Sequence, residues 1–162
     1  METPMSSPRI SYDAFAKIAP VAQNSLIAMG RQADESGIDK TIIELVKLRV
    51  SQINNCAFCL QIHLNVSRKL GVPQEKLDLV ATWDEAGIFS EKECAALAWA
   101  ETLARLAGHS VSDAAYAAVR EHFSEEEVVF LSVSIATINA WNRLGAAFRF
   151  APPIPKKVAA AA

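Results

Sequence analysis

The sequence predicts an all-α fold, a single-domain bundle of about seven or eight helices, on three observations. Helix-start and helix-stop signals recur along the whole chain, two of them complete capping boxes. Strand signals are missing: no Asn-Gly or Asp-Gly hairpin turn occurs, and no stretch alternates cleanly at period two. The chain has 162 residues, 51% of them hydrophobic, which is enough for one buried core and implies surface buried between subunits of a homo-oligomer.

The elements follow in order. Residues 1–11 are polar and proline-bearing and read as a flexible arm, and 12–18 as a short helix. Pro20 suits the first turn of the next helix, which runs toward Gly37. Asp39 caps a helix over 40–53, whose Ile42, Ile43, Leu45, Val46 and Leu48 suit burial. Asn54 and Asn55 are good capping residues for a helix over 56–70 with Cys56 and Cys59 in its first turn, and Gly71 and Pro73 stop it. PQEKLDLVATW is a short amphipathic helix broken at Ala86-Gly87. Ser90 with Glu93 opens a helix over 91–107, Ser112 starts one over 113–123, and Ser124 with Glu127 opens the last, over 125–148. That helix is apolar nearly all round at VVFLSVSIATI, which predicts burial on most sides, in the core or between subunits. The predicted domain is therefore 12–150, followed by a Pro/Ala-rich tail over 151–162.

Charge and cysteine usage narrow the function. The net charge of −2 comes from 16 basic and 18 acidic residues without a long run of either sign. Lys156-Lys157 is too short for a polyanion footprint, so neither nucleic acid nor an anionic membrane is an expected partner. No apolar run approaches the ~20 residues of a spanning helix, and METPMSSPRI lacks the apolar core of a secretion signal. Three cysteines without such a signal point to a reducing compartment, the cytoplasm, where C-x-x-C is catalytic or metal-binding more often than structural.

The reactive groups gather in ELVKLRVSQINNCAFCLQIH, residues 44–63. Cys56 and Cys59 form the C-x-x-C, His63 follows four positions later, and Glu44 precedes the first thiol by twelve. At 3.6 residues per turn, helical spacing lines Cys56, Cys59 and His63 along one side. Unpaired amides at a helix N-terminus favour a thiolate there, and the spacing leaves open which sulfur ionises first. Three readings stand side by side. One is a redox dithiol. Another is a metal site with Cys56, Cys59, His63 and Glu44 as ligands, in a non-enzymatic binding or scaffold domain. The third is a pair of buried, inert helical cysteines. A purely structural disulfide is disfavoured, since so short a loop constrains little of the unfolded chain. Apolar neighbours predict burial and a raised pKa for Glu44, suited to proton transfer. Cys94 reads as packing, His109 and His122 as solvated or capping groups, and Trp83, Trp99 and Trp141 as core or interface. Glu101 and Arg143 are candidates for an ion pair with each other or with the site.

The same stretch resembles the signature of the AhpD-like alkylhydroperoxidases within the carboxymuconolactone decarboxylase family. The similarity continues through KLDLVATWDEAGIFSEKECAALAWAETL to INAWNRLGAAFRF, covering about residues 12–150. The resemblance implies an all-α fold assembling into trimers or hexamers, and a peroxidase with neither bound cofactor nor metal. It implies attack on a hydroperoxide by Cys59 and resolution by Cys56, with Glu44 and His63 relaying protons. It further implies an external dithiol reductant, lipoylated or of thioredoxin type. Phe58 departs from the histidine or tyrosine that relatives often carry before the second cysteine. The decarboxylase branch of the family has no use for a dithiol, so the pair argues against that chemistry.

Overall fold

The computed structural model describes residues 7–155; the start of the arm and the end of the tail, Lys156-Lys157 included, lie outside the described residues. Every regular element among them is helical. Helix α1 spans Tyr12–Ile18, its start fixed by Ser11, whose hydroxyl accepts from the Ala14 N–H at 3.1 Å. Helix α2 spans Pro20–Asp34. It stops short of Gly37, with the Ser36 hydroxyl donating to the Ala33 carbonyl at 2.7 Å beyond its end. Helix α3 spans Lys40–Ile53, capped by Asp39, which accepts from the Thr41 N–H at 2.8 Å. Helix α4 spans Ala57–Lys69.

The predicted PQEKLDLVATW helix divides into α5 (Gln74–Leu79), a 3₁₀ turn (Val80–Thr82) and α6 (Trp83–Ala86), which ends at left-handed Gly87. Then come α7 (Glu91–Ala104), α8 (Asp113–Arg120) and α9 (Glu125–Phe148). Both capping boxes form: the Ser90 and Glu93 side chains each satisfy the other's N–H, as do those of Ser124 and Glu127. Counted with α5 and α6 as one broken helix, the described chain has eight.

Helix α3 is the centre of the bundle. Ile43, Val46 and Val50 face one apolar cluster with Leu131, Ile135 and Ile138 of α9, and both site cysteines belong to it. Leu45 and Leu48 face a second cluster with Val72, Leu77, Val80 and Leu97. Helix α9, apolar nearly all round in sequence, buries Leu131, Ile135 and Ile138 but leaves Val129 exposed at 54%. No helix of the described residues is long and apolar enough to cross a membrane.

The corner between α3 and α4 corrects one expectation. Asn54 and Asn55 end α3 rather than open α4. Asn55 sits at φ 52°, a left-handed conformation that asparagine adopts more readily than most residues, and it reverses the chain. The Asn54 amide donates to the side-chain oxygens of Asn139 and Asn142, both at 2.9 Å, and the buried Asn142 amide donates to Ser51 Oγ at 3.1 Å. This polar tie crosses the core from α3 to α9. Asn142→Ala strands the Ser51 hydroxyl and one acceptor site for Asn54. It is expected to lower unfolding stability by about 1–3 kcal/mol, read as a reduced urea midpoint with unchanged slope; an unchanged midpoint would show the tie to be dispensable.

Candidate active site

Cys56 is the N-cap of α4, and its sulfur accepts from the Cys59 N–H at 3.3 Å. Its backbone (φ −92°, ψ 95°) is not helical, so the helical spacing rule covers Cys59 and His63 but not Cys56. The two cysteines are joined as a disulfide, Cα atoms 5.4 Å apart, and both are buried. Across from them runs α9. A methyl group placed on Gly145 would stand 2.8 Å from Cys56 Sγ and 3.5 Å from Cys59 Sγ, so only glycine lets this helix close on the pair.

Glu44 and His63 meet across two helices, an approach that the linear motif leaves open. Helix α3 folds back beside α4, and Glu44 Oε2 lies 2.7 Å from His63 Nδ1. The other carboxylate oxygen accepts from Lys47 Nζ at 3.0 Å, and Lys47 also reaches Asp34 of α2 at 2.7 Å. The expected rise in the Glu44 pKa is reversed. Burial, the largest single influence, pushes the carboxyl up. The His63 hydrogen bond, the His63 charge and the Lys47 ammonium together outweigh it and hold the carboxyl below its ordinary value of 4.5. An ionised carboxylate only accepts, so the His63 proton facing it is on Nδ1 and the other ring nitrogen is left for a different partner.

That ring borders a cavity of about 360 Å³ between α2, α4 and α9. Cys59, His63 and Lys47 reach it, and Leu26, Ile62, Ile138 and Trp141 give it apolar walls. Cys56 is not among its lining groups. Cys59 and His63 thus line the cavity together while Cys56, the cap residue, does not, although both bonded sulfurs lie against Gly145. Phe58 adds to the wall, its ring 5.4 Å from Tyr12 and 5.2 Å from Phe150 between centroids.

The remaining candidates separate from the site. Glu101 binds Arg49 at 2.6 Å, Arg105 at 3.0 Å and the Trp83 indole at 3.0 Å, while Arg143 donates to Asn139, so the pair suggested for them does not form. Cys94 lines a separate groove with Trp99 and His122, and burial, with Glu93 beside it, pushes its thiol pKa up. His109 is exposed. With the sulfurs joined, no group of three His, Cys, Asp or Glu side chains converges in metal-binding geometry among the described residues. Sequence reading missed Lys47, Asp34 and Gly145. The i, i+3 spacing of Glu44 and Lys47, and a glycine inside a long apolar helix, were the available signals.

The helical topology and the disulfide pair beside a Glu–His couple define an AhpD-like protein. Comparison with known proteins agrees: the carboxymuconolactone decarboxylase family model matches residues 20–102. The chain belongs to the carboxymuconolactone decarboxylase family. It is 38% identical over 141 residues to the uncharacterized protein YdfG of Bacillus subtilis, covering 87% of this chain and 94% of that one. A crystal structure of a protein of unknown function from Agrobacterium tumefaciens, with a suggested role as the antioxidant defence protein AhpD, superposes with a TM-score of 0.85 at 36% identity. The match covers 92% of this chain and all of the other. The debrominase Bmp8 shares the fold at a TM-score of 0.75 but only 18% identity, over 84% of this chain and 73% of its own.

Two outcomes follow from this geometry. Gly145→Ala forces a methyl onto the sulfurs and is expected to cost about 1–3 kcal/mol of stability, measured by urea unfolding of the oxidised protein; full tolerance would mean that α9 does not close on the pair. For Glu44 the folded pKa lies below the unfolded 4.5, so its pairing stabilises the fold above that pH and is lost as pH falls through the folded value. Glu44→Gln is therefore expected to lose stability less steeply than wild type on acidification below 4.5, and parallel acid profiles would contradict the assignment.

Proposed function

We propose that the protein is a dithiol peroxidase that reduces organic hydroperoxides, with Cys59 attacking, Cys56 resolving, and His63 and Glu44 managing the proton. The observation that carries this reading is the asymmetry of the pair. Cys59 lines the cavity that His63 also borders and Cys56 does not, although both sulfurs pack against Gly145.

In the reduced protein His63, held by the ionised Glu44, takes the Cys59 proton. The thiolate attacks the terminal peroxide oxygen, the O–O bond breaks, and Cys59 is oxidised to a sulfenic acid. His63 returns its proton to the departing alkoxide, which leaves as an alcohol. The Cys56 sulfur then attacks Cys59; the S–S bond forms, and the hydroxyl departs as water with the Cys56 proton. An external dithiol, lipoylated or of thioredoxin type, supplies two electrons and two protons to reopen the disulfide. The apolar walls and the Phe58–Tyr12–Phe150 cluster favour organic hydroperoxides over hydrogen peroxide. The suggested antioxidant role of the Agrobacterium relative points the same way. The trimer or hexamer implied by the resemblance is proposed with it, supported by Ile18 and Val21, exposed at 74% and 77%.

Peroxide consumption with dithiothreitol as reductant tests the cycle. Cys59→Ser is expected to abolish turnover, and Cys56→Ser, reduced beforehand and then freed of dithiothreitol, to consume about one peroxide per chain and stop at a dimedone-reactive sulfenic acid. Normal turnover by Cys59→Ser would end the proposal. Thiol titration of the denatured oxidised protein is expected to find one of the three cysteines free, Cys94, and all three after reduction.

A further inference from the structure

The cavity beside Cys59 contains two hydrogen-bonding groups that the peroxide cycle leaves idle. Ser134 of α9 is fully buried, and its hydroxyl has no hydrogen-bond partner among the described residues. Its neighbours behave differently: Ser132 and Thr137 each donate to the carbonyl one turn back at 2.7 Å. A buried hydroxyl without a partner is unusual and calls for a ligand or water; Ser134 lines the cavity, and its oxygen, closed to solvent in this rotamer, reaches the open space by rotation about χ1. The second group is Arg31 of α2. Of the cationic groups lining the cavity, Lys47 is held by Asp34 and Glu44, and His63 by Glu44. Arg31, which is exposed, forms no ion pair among the described residues.

Helix geometry places these groups far from the sulfur. Ser134 and Gly145 are eleven positions apart, close to three full turns, so they face the same side of α9 about 16 Å apart along its axis. Ile138 and Trp141 fall on the same stripe between them, and both line the cavity. The Cys59 sulfur lies 3.5 Å from a Cβ placed on Gly145, which puts it at one end of the stripe with Ser134 at the other. Allowing for side-chain reach, sulfur and hydroxyl are separated by about 10 Å or more. A Cβ on Gly30 would stand 3.8 Å from the Thr137 methyl, so Arg31, the next residue, is level with the Ser134 end.

We propose that the cavity selects elongated hydroperoxides ending in a carboxylate. The peroxide group sits beside Cys59, the apolar body lies along Ile138, Trp141, Ile62 and Leu26, and the carboxylate accepts from the Ser134 hydroxyl and the Arg31 guanidinium. This substrate class rests on the dithiol peroxidase reading; the placement of the acid does not. Hydrogen peroxide or a short alkyl hydroperoxide fills only the sulfur end and leaves the Ser134 hydroxyl unbonded.

The probes are linoleic acid hydroperoxide, its methyl ester, and unreactive linoleic acid, used with wild type, Ser134→Ala and Arg31→Gln. In wild type, kcat/KM is expected to be higher for the acid than for the ester. Each substitution is expected to reduce that acid-to-ester ratio about tenfold, through KM rather than kcat, the scale of one lost bond to a charged group. Tryptophan fluorescence, with Trp141 in the cavity wall, is expected to show linoleic acid binding weakened by a similar factor. An acid-to-ester ratio and a linoleic acid affinity unchanged in both variants would overturn the proposal. Linoleic acid binding that depends on Ser134 and Arg31, in a protein that reduces no hydroperoxide, would keep the acid site and remove the peroxidase reading.

Discussion

The reversal at Asn54-Asn55 is the constraint on which the site depends. Asn55 takes the left-handed turn, and the Asn54 amide is clasped by Asn139 and Asn142 of α9. Helix α4 therefore doubles back along α3, which carries Glu44 to His63 across 19 positions of sequence. The same clasp draws α9 over the corner and sets Gly145 against the sulfurs. A looser corner would leave each reactive group in place along the chain but no longer facing the others. The tie lies in an otherwise apolar core, where polar groups that find all their partners fix one arrangement rather than merely adding stability.

Charge near the sulfurs is arranged to keep a buried carboxylate ionised. Burial works against the charged form of Glu44, yet a histidine on one oxygen and a lysine on the other reverse the outcome. Lys47 is itself buried and would be costly alone; Asp34, reaching in from α2, completes a row of alternating charges that ends at the imidazole. The proton chemistry proposed for His63 thus draws on three helices, although the C-x-x-C-x-x-x-H motif lies at the start of one.

Much of this was legible in the chain. Caps are local, so Asp39, Ser90, Ser112 and Ser124 mark their helices correctly, and the Glu44, Cys56, Cys59, His63 constellation points to one place. What failed was non-local or hung on a single residue's backbone. Cys56 sits in the first turn by spacing but is the cap by conformation. The apolar neighbours of Glu44 are visible in sequence, whereas the groups that hold its carboxyl down are first His63, brought in only by the fold-back of α4, and then Lys47 one turn along. Glu101 found Arg49 rather than Arg143, a choice set by how α3 lies on α7. Ser134 carries no sequence signal distinguishing it from Ser132, which bonds its own helix.

One feature of the pair reaches past its redox chemistry. The atom that begins α4 is a sulfur: Cys56 Sγ receives the Cys59 amide in the place where most helices use an oxygen. Any reaction that carries this sulfur elsewhere also removes the acceptor that holds the first turn in shape. Opening the disulfide and loosening this turn would thereby be linked through a single bond, so that under the proposed cycle a reductant would meet a backbone whose firmness varies with the number of electrons the protein holds.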